Sequence, residues 1–87
     1  MHDLHEADRI LKLVLDHAER NNFKKVTKII IGLGNIIEHG LNIDPDNLKF
    51  NISMLARETK ADEAEIVVEK IDGDTWELKE IEGDKNI

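Results

Sequence analysis

Apolar residues recur at spacings of three and four from the start of the chain: Leu4, Ala7, Leu11, Val14 and Ala18, with Ile10, Leu13 and Leu15 widening the stripe. That period predicts an amphipathic helix from Asp3 to about Asn21. Asp3 suits the N-cap, and Glu6 three residues on completes a capping-box-like pair. Asn21-Asn22 supplies the stop. The pattern then changes. Val26 to Leu33 carries three consecutive β-branched residues, Ile29, Ile30 and Ile31, and reads as a strand. Alternation puts Ile29, Ile31 and Leu33 on one face and Lys28, Ile30 and Gly32 on the other. Gly34-Asn35 and His39-Gly40 bracket a looser stretch.

Asp44-Pro45 opens a second helix, with Asp as N-cap and Pro at the first helical position. Its stripe is Leu48, Ile52 and Leu55, flanked by Phe50 and Met54, and it ends near Glu58. Ala61 to Ala64 connects to a second strand, Glu65 to Ile71, with Ile66 and Val68 on one face. Asp72-Gly73-Asp74 reads as a tight turn. Thr75 to Ile81 is then the returning hairpin strand, and Gly83 to Ile87 a charged, frayed tail. The expected fold is α/β (α+β), in the order helix, strand, helix, strand, strand. A small three-stranded sheet would carry both helices on one face.

Composition narrows the function. Eighty-seven residues fit one domain, and 40% hydrophobic content suffices for one core. With only Phe23, Phe50 and Trp76 as aromatics, that core must be aliphatic. A formal charge of −7 repels phosphate backbones and argues against nucleic-acid binding. The absence of cysteine removes disulfides, thiolate zinc sites, iron–sulfur clusters and cysteine catalysis. No apolar run reaches membrane-spanning length, so the default placement is the cytoplasm.

Candidate chemistry centres on histidine. His5 and His17 read as surface residues of the first helix. His39, beside Glu38, reads either as a loop ligand or as a solvated loop residue. His2 differs. A free amine on Met1, the backbone nitrogen of His2 and its imidazole form adjacent chelate rings, a nitrogen set that suits nickel and copper. Asp3 adds a backbone nitrogen or a carboxylate. On sequence alone, a histidine at position 2 is more often incidental than a ligand. The single serine, Ser53, has no arranged base, and Gly32-Leu33-Gly34 is too short for a phosphate loop, so no enzyme is expected.

Taken in order, the segments resemble a known family. Met1-His2-Asp3-Leu4 is similar to the Met-His-Glu start of the hydrogenase-maturation nickel metallochaperones of the HypA type. Ala18 to Lys28 (AERNNFKKVTK) resembles that family's helix end and first strand, and Ile31 to Ile36 (IGLGNI) its strand end and loop. Pro45 to Phe50 (PDNLKF) resembles the second-helix start. Thr59 to Ile66 (TKADEAEI) resembles the approach to the next strand. The resemblance implies a nickel-binding accessory protein, with nickel as transient cargo held through Met1, His2 and Asp3. Asp3 here replaces the usual Glu. It further implies a nickel-enzyme precursor or a maturation GTPase-type partner.

Family members of that type insert two Cys-x-x-Cys pairs between the last two strands. Here Ile71 to Thr75 occupies that place, and Trp76 to Glu80 resembles the family's segment after the first cysteine pair. The expectation is one nickel-binding-like domain over 1–87, with the zinc module replaced by a turn near 71–75 and no zinc. An alternative is an interaction module on the same fold that no longer delivers metal. Ile30 and Val67 should share the sheet face away from the helices. That leaves two readings: a homodimer through that face, or Trp76 or Leu78 folding over it.

Overall fold

The computed structural model describes the backbone of residues 2–35, 37–38 and 41–85, and the side chains of 5–35 and 43–85. Within these, α1 spans His2–Arg20, β1 Phe23–Leu33, β2 Ile37–Glu38, β3 Leu41–Asn42, α2 Pro45–Leu55, β4 Glu65–Lys70 and β5 Trp76–Lys85. Both helices pack on one face of a three-stranded sheet, in the expected order along the chain. The looser stretch after β1 forms a small antiparallel pair, with Ile37 opposite Asn42 and Glu38 opposite Leu41.

The apolar stripe of α1 goes where its period sends it: Ala7, Ile10, Leu11, Val14 and Ala18 are buried. The helix stops because Asn22 turns into the left-handed region (φ 60°), which asparagine tolerates better than most residues. Its amide then bonds the Glu19 carbonyl at 3.3 Å. The start differs from expectation. The helix already includes His2, so Asp3 lies in the first turn rather than at the cap. Glu6 does not form the capping pair either; its carboxylate is engaged by Trp76 and Arg9.

In α2 the Asp44 side chain accepts from the Asp46 amide at 3.2 Å, and Pro45 opens the helix as expected. Leu48 and Ile52 are buried, whereas Phe50 and Met54 face solvent. The crossover through α2 makes β4 parallel to β1, with Ile29 beside Ile66 and Ile31 beside Val68. Ile10, Ile29, Ile31, Leu48 and Ile52 are fully buried, and each such side chain contributes about 1.5–3 kcal/mol over leaving it exposed.

The sheet order is β4-β1-β5, and this corrects the hairpin expected around Asp72-Gly73-Asp74. β5 does not pair with β4. It pairs antiparallel with the other edge of β1, so the connection 71–75 must cross the end of the central strand. The crossing is bonded throughout: the Ile71 amide to the Leu33 carbonyl at 3.1 Å, Gly34 to Thr75 at 2.8 Å, and Asn35 to Gly73 at 2.8 Å. A Cβ on Gly34 would lie 2.6 Å from the Thr75 oxygen and 2.7 Å from that of Gly73, so only glycine lets the crossing chain come this close.

A second correction concerns the end of the chain. β5 runs to Lys85, pairing Gly83 with Val26 and Lys85 with Phe23, so 83–85 are sheet rather than a frayed tail. The Lys85 ammonium lies 5.6 Å from the centroid of the Phe23 ring, a cation–π distance. Trp76 and Leu78 do not cover the outer face: they pair with Leu33 and Ile31, and both pack against the core on the helix side. The outer face carries half-buried Ile30 and Val67, side by side, among Glu65, Glu69, Glu80 and Glu82. A bulge at Lys79 sends that side chain over Gly32 toward Glu69, with the ions 3.7 Å apart.

Candidate metal centre

The first turn of α1 is the part of the molecule where the nitrogen donors singled out in the sequence would meet. The first four amides of any α-helix have no carbonyl four residues behind them to bond. In a helix beginning at His2, the amides of His2 and Asp3 belong to that set. Using them as ligands therefore breaks no helical hydrogen bond. A deprotonated amide there also sits at the positive end of the helix dipole. Met1 lies outside the described residues, and His2 and Asp3 are described in backbone only.

What lies just beyond fixes the position of this turn. The indole nitrogen of Trp76 donates to Glu6 Oε2 at 2.7 Å, and Arg9 lies 3.8 Å from the other oxygen. Trp76 is itself held beside Leu33 at the β1–β5 edge. Ala7 and Ile10 are fully buried on the next turn. The amino-terminal turn is thus tied to the sheet by a polar contact and by packing. Sequence reasoning missed the Trp76–Glu6 pair. The available signal was a lone tryptophan, which seeks a partner for its N–H when it is partly buried.

The other histidines are not gathered at this turn. His5 is exposed one turn further along α1. His17 is exposed at the opposite end; fifteen residues of helix separate it from His2 by about 22 Å, too far to share an ion. It borders a shallow groove with Asn21 and the Leu78 to Ile81 stretch. His39 lies outside the described residues. Among the described residues no three His, Asp or Glu side chains come together as a metal cage. Ser53 is exposed on α2.

A cleft of about 250 Å³ opens at the carboxyl ends of β1 and β4, lined by Leu33, Gly34, Asn35, Ile43, Pro45, Val68 and Lys70. Among the described residues its walls are mainly apolar and the one charged group is the Lys70 cation, a lining that does not suit a metal ion. No helix among the described residues is long and apolar enough to cross a membrane.

A family model described as hydrogenase/urease nickel incorporation, metallochaperone, HypA matches residues 1–77. The chain belongs to the HypA family. The HypA match includes the amino-terminal turn and reaches just past Trp76, so both partners of the 2.7 Å contact fall inside it. The chain is 37% identical over 71 residues to the hydrogenase maturation factor HypA of Methanobrevibacter smithii, covering 82% of this chain and 54% of that protein. It is 33% identical over 89 aligned positions to HypA of Thermococcus gammatolerans, covering 93% and 61%. The chain thus spans about half the length of the first of these relatives. The solution structure of the Ni metallochaperone HypA from Helicobacter pylori superposes with a TM-score of 0.74 at 10% identity, over 97% of this chain and 98% of that one. At that identity the likeness establishes the HypA fold.

Proposed function

We propose that this chain binds nickel at its amino terminus and hands it on during maturation of a nickel enzyme such as hydrogenase. Met1, His2 and Asp3 are the ligand residues: the Met1 amine, the His2 amide nitrogen and imidazole, and the Asp3 amide or carboxylate. The observation that carries the proposal is the family match beginning at Met1 and covering the turn that Glu6 and Trp76 hold. A terminal site also suits transfer, because a partner can reach it without opening the core. Copper binds such nitrogen sets more tightly than nickel does, so selectivity rests on which metal is supplied. The recipient is a nickel-enzyme precursor or a GTPase-type maturation partner. The chain acts as a carrier rather than a catalyst, and its soluble-type fold is assigned to the cytoplasm.

The whole of residues 1–87 acts as one nickel-binding domain on this reading. Between β4 and β5 the five residues 71–75 contain no cysteine, so a thiolate zinc set has no donors there. Those residues are instead committed to crossing the end of β1.

That commitment also favours the second reading, an interaction module that keeps the fold and no longer delivers metal. The two separate on two measurements. The delivery reading expects nickel binding that depends on His2, and loss of nickel-enzyme activity when the gene is deleted. Nickel enzymes that mature normally in the deletion strain would leave only the interaction module.

A further inference from the structure

The nickel set proposed above leaves a place for one more donor. The Met1 amine, the His2 amide nitrogen and the His2 imidazole are linked through adjacent chelate rings. They therefore take neighbouring corners of a plane, with the amide in the middle. The corner across from that amide is out of reach of residue 2. Nitrogen-bound nickel favours a planar or tetragonal set, so a donor for this corner comes from further along the chain, from a partner or from water.

Helical side chains lean toward the amino terminus and cover the turn before their own Cα. In a helix that begins at His2, the side chains that cover positions 1 and 2 are those of His5 and Glu6. Residues three or four apart on a helix have Cβ atoms about 5–6 Å apart, which is within imidazole or carboxylate reach of a shared ion. Glu6 is already committed. Its carboxylate accepts from the Trp76 indole at 2.7 Å and faces Arg9 at 3.8 Å, and its side chain is 13% exposed. His5 is exposed.

We propose that His5 is a further nickel ligand, its imidazole closing the set across from the His2 amide. The proposal rests on the amino-terminal reading above and deepens it. Binding draws a solvated side chain back over the terminal turn and leaves the fold as it is, because Ala7 and Ile10 already seat α1 in the core. It also supplies a route of release. The amine and both donors of His2 are tied to one another through the backbone, whereas His5 stands on its own arm. A donor side chain of the recipient can displace His5 first and gain a hold on the ion before the chelate opens.

The test counts imidazoles. X-ray absorption spectroscopy of the untagged chain loaded with nickel detects the ring carbons of coordinated histidine, titration calorimetry gives the affinity, and circular dichroism confirms the fold. Wild type should show a pair of imidazoles on each nickel. His5→Gln should show one, with affinity lowered at least about tenfold, since replacing a mere neighbour of a ligand already costs that much. His17→Gln is the control: the same side chain, exposed about 22 Å from His2, should leave both readouts at the wild-type values. A single imidazole in wild type overturns the proposal. So does His5→Gln that keeps the pair or binds at wild-type affinity, or loss of the second imidazole in His17→Gln instead. His2→Ala separates the two readings. If it abolishes binding while His5→Gln has no effect, the amino-terminal site stands without His5; if it binds as wild type does, both fail.

Discussion

The indole N–H of Trp76 donates to the carboxylate of Glu6 at 2.7 Å, joining residues 70 positions apart. The Glu6 side chain is 13% exposed, so the bond is made largely out of water. It ties α1, just past its first turn, to the start of β5. A hydrogen bond to a charged group contributes about 1.5–3 kcal/mol. Trp76→Phe should therefore lower unfolding stability by about 1–2 kcal/mol, partial exposure reducing the effect. Urea denaturation of Trp76→Phe, Glu6→Gln and the double variant measures it. The two effects should be non-additive; simple additivity would mean that the contact carries no energy.

Gly83 tests the length of β5. A Cβ there would overlap the Lys25 carbonyl oxygen and lie 2.9 Å from Val26 Cα. Gly83→Ala should cost about 2 kcal/mol or more, as backbone displacement in a sheet does, whereas Asp84→Ala on the exposed side should stay within about 0.5 kcal/mol. Equal, small effects would mean that the strand stops earlier. Hydrogen exchange gives a second readout: the β5 amides that bond β1 should be protected as far as Lys85.

Much of this fold was legible from period and caps. The α1 stripe, the Asp44-Pro45 start of α2 and the buried face Ile29, Ile31 and Leu33 follow from local rules; the Asp3 cap, also a local reading, did not hold, because the helix already includes His2. The other failures were long-range. Asp72-Gly73-Asp74 has the chemistry of a hairpin turn, but strand pairing is decided by which edges of β1 are open, and one strand took each edge. The residues from Gly83 onward read as a charged, frayed tail, though Gly83 is a site of close backbone approach within β5. Glu6 fitted a local capping pair, but a tryptophan 70 residues away is the partner it has. Of the proposed site only residue types were legible: position 2 suggested nitrogen donors, while the contact that ties the start of α1 to the sheet lies at Trp76.

The core and the exposed face of α2 should respond differently to truncation. Ile10→Ala and Ile52→Ala each empty a fully buried site and should cost about 2–5 kcal/mol. Phe50→Ala removes a side chain 62% exposed and should change monomer stability by less than about 0.5 kcal/mol. Thermal denaturation at low protein concentration compares them. A Phe50 effect as large as that of Ile52 would place the ring in the core.

Nickel binding through an amine, amides and an imidazole competes with protons. Affinity should fall steadily as pH is lowered, with proton release accompanying binding. Titration calorimetry in two buffers of different ionisation enthalpy detects those protons. A pH-independent affinity would exclude nitrogen ligation of this kind.

The central claim is that nickel is held by Met1, His2 and Asp3. The most direct measurement is a nickel titration of the untagged chain beside His2→Ala and a form whose terminal amine is acetylated. The account expects tight binding by the untagged chain and its loss in both variants, with folding unchanged by circular dichroism. Binding that survives in both variants at wild-type affinity would contradict it.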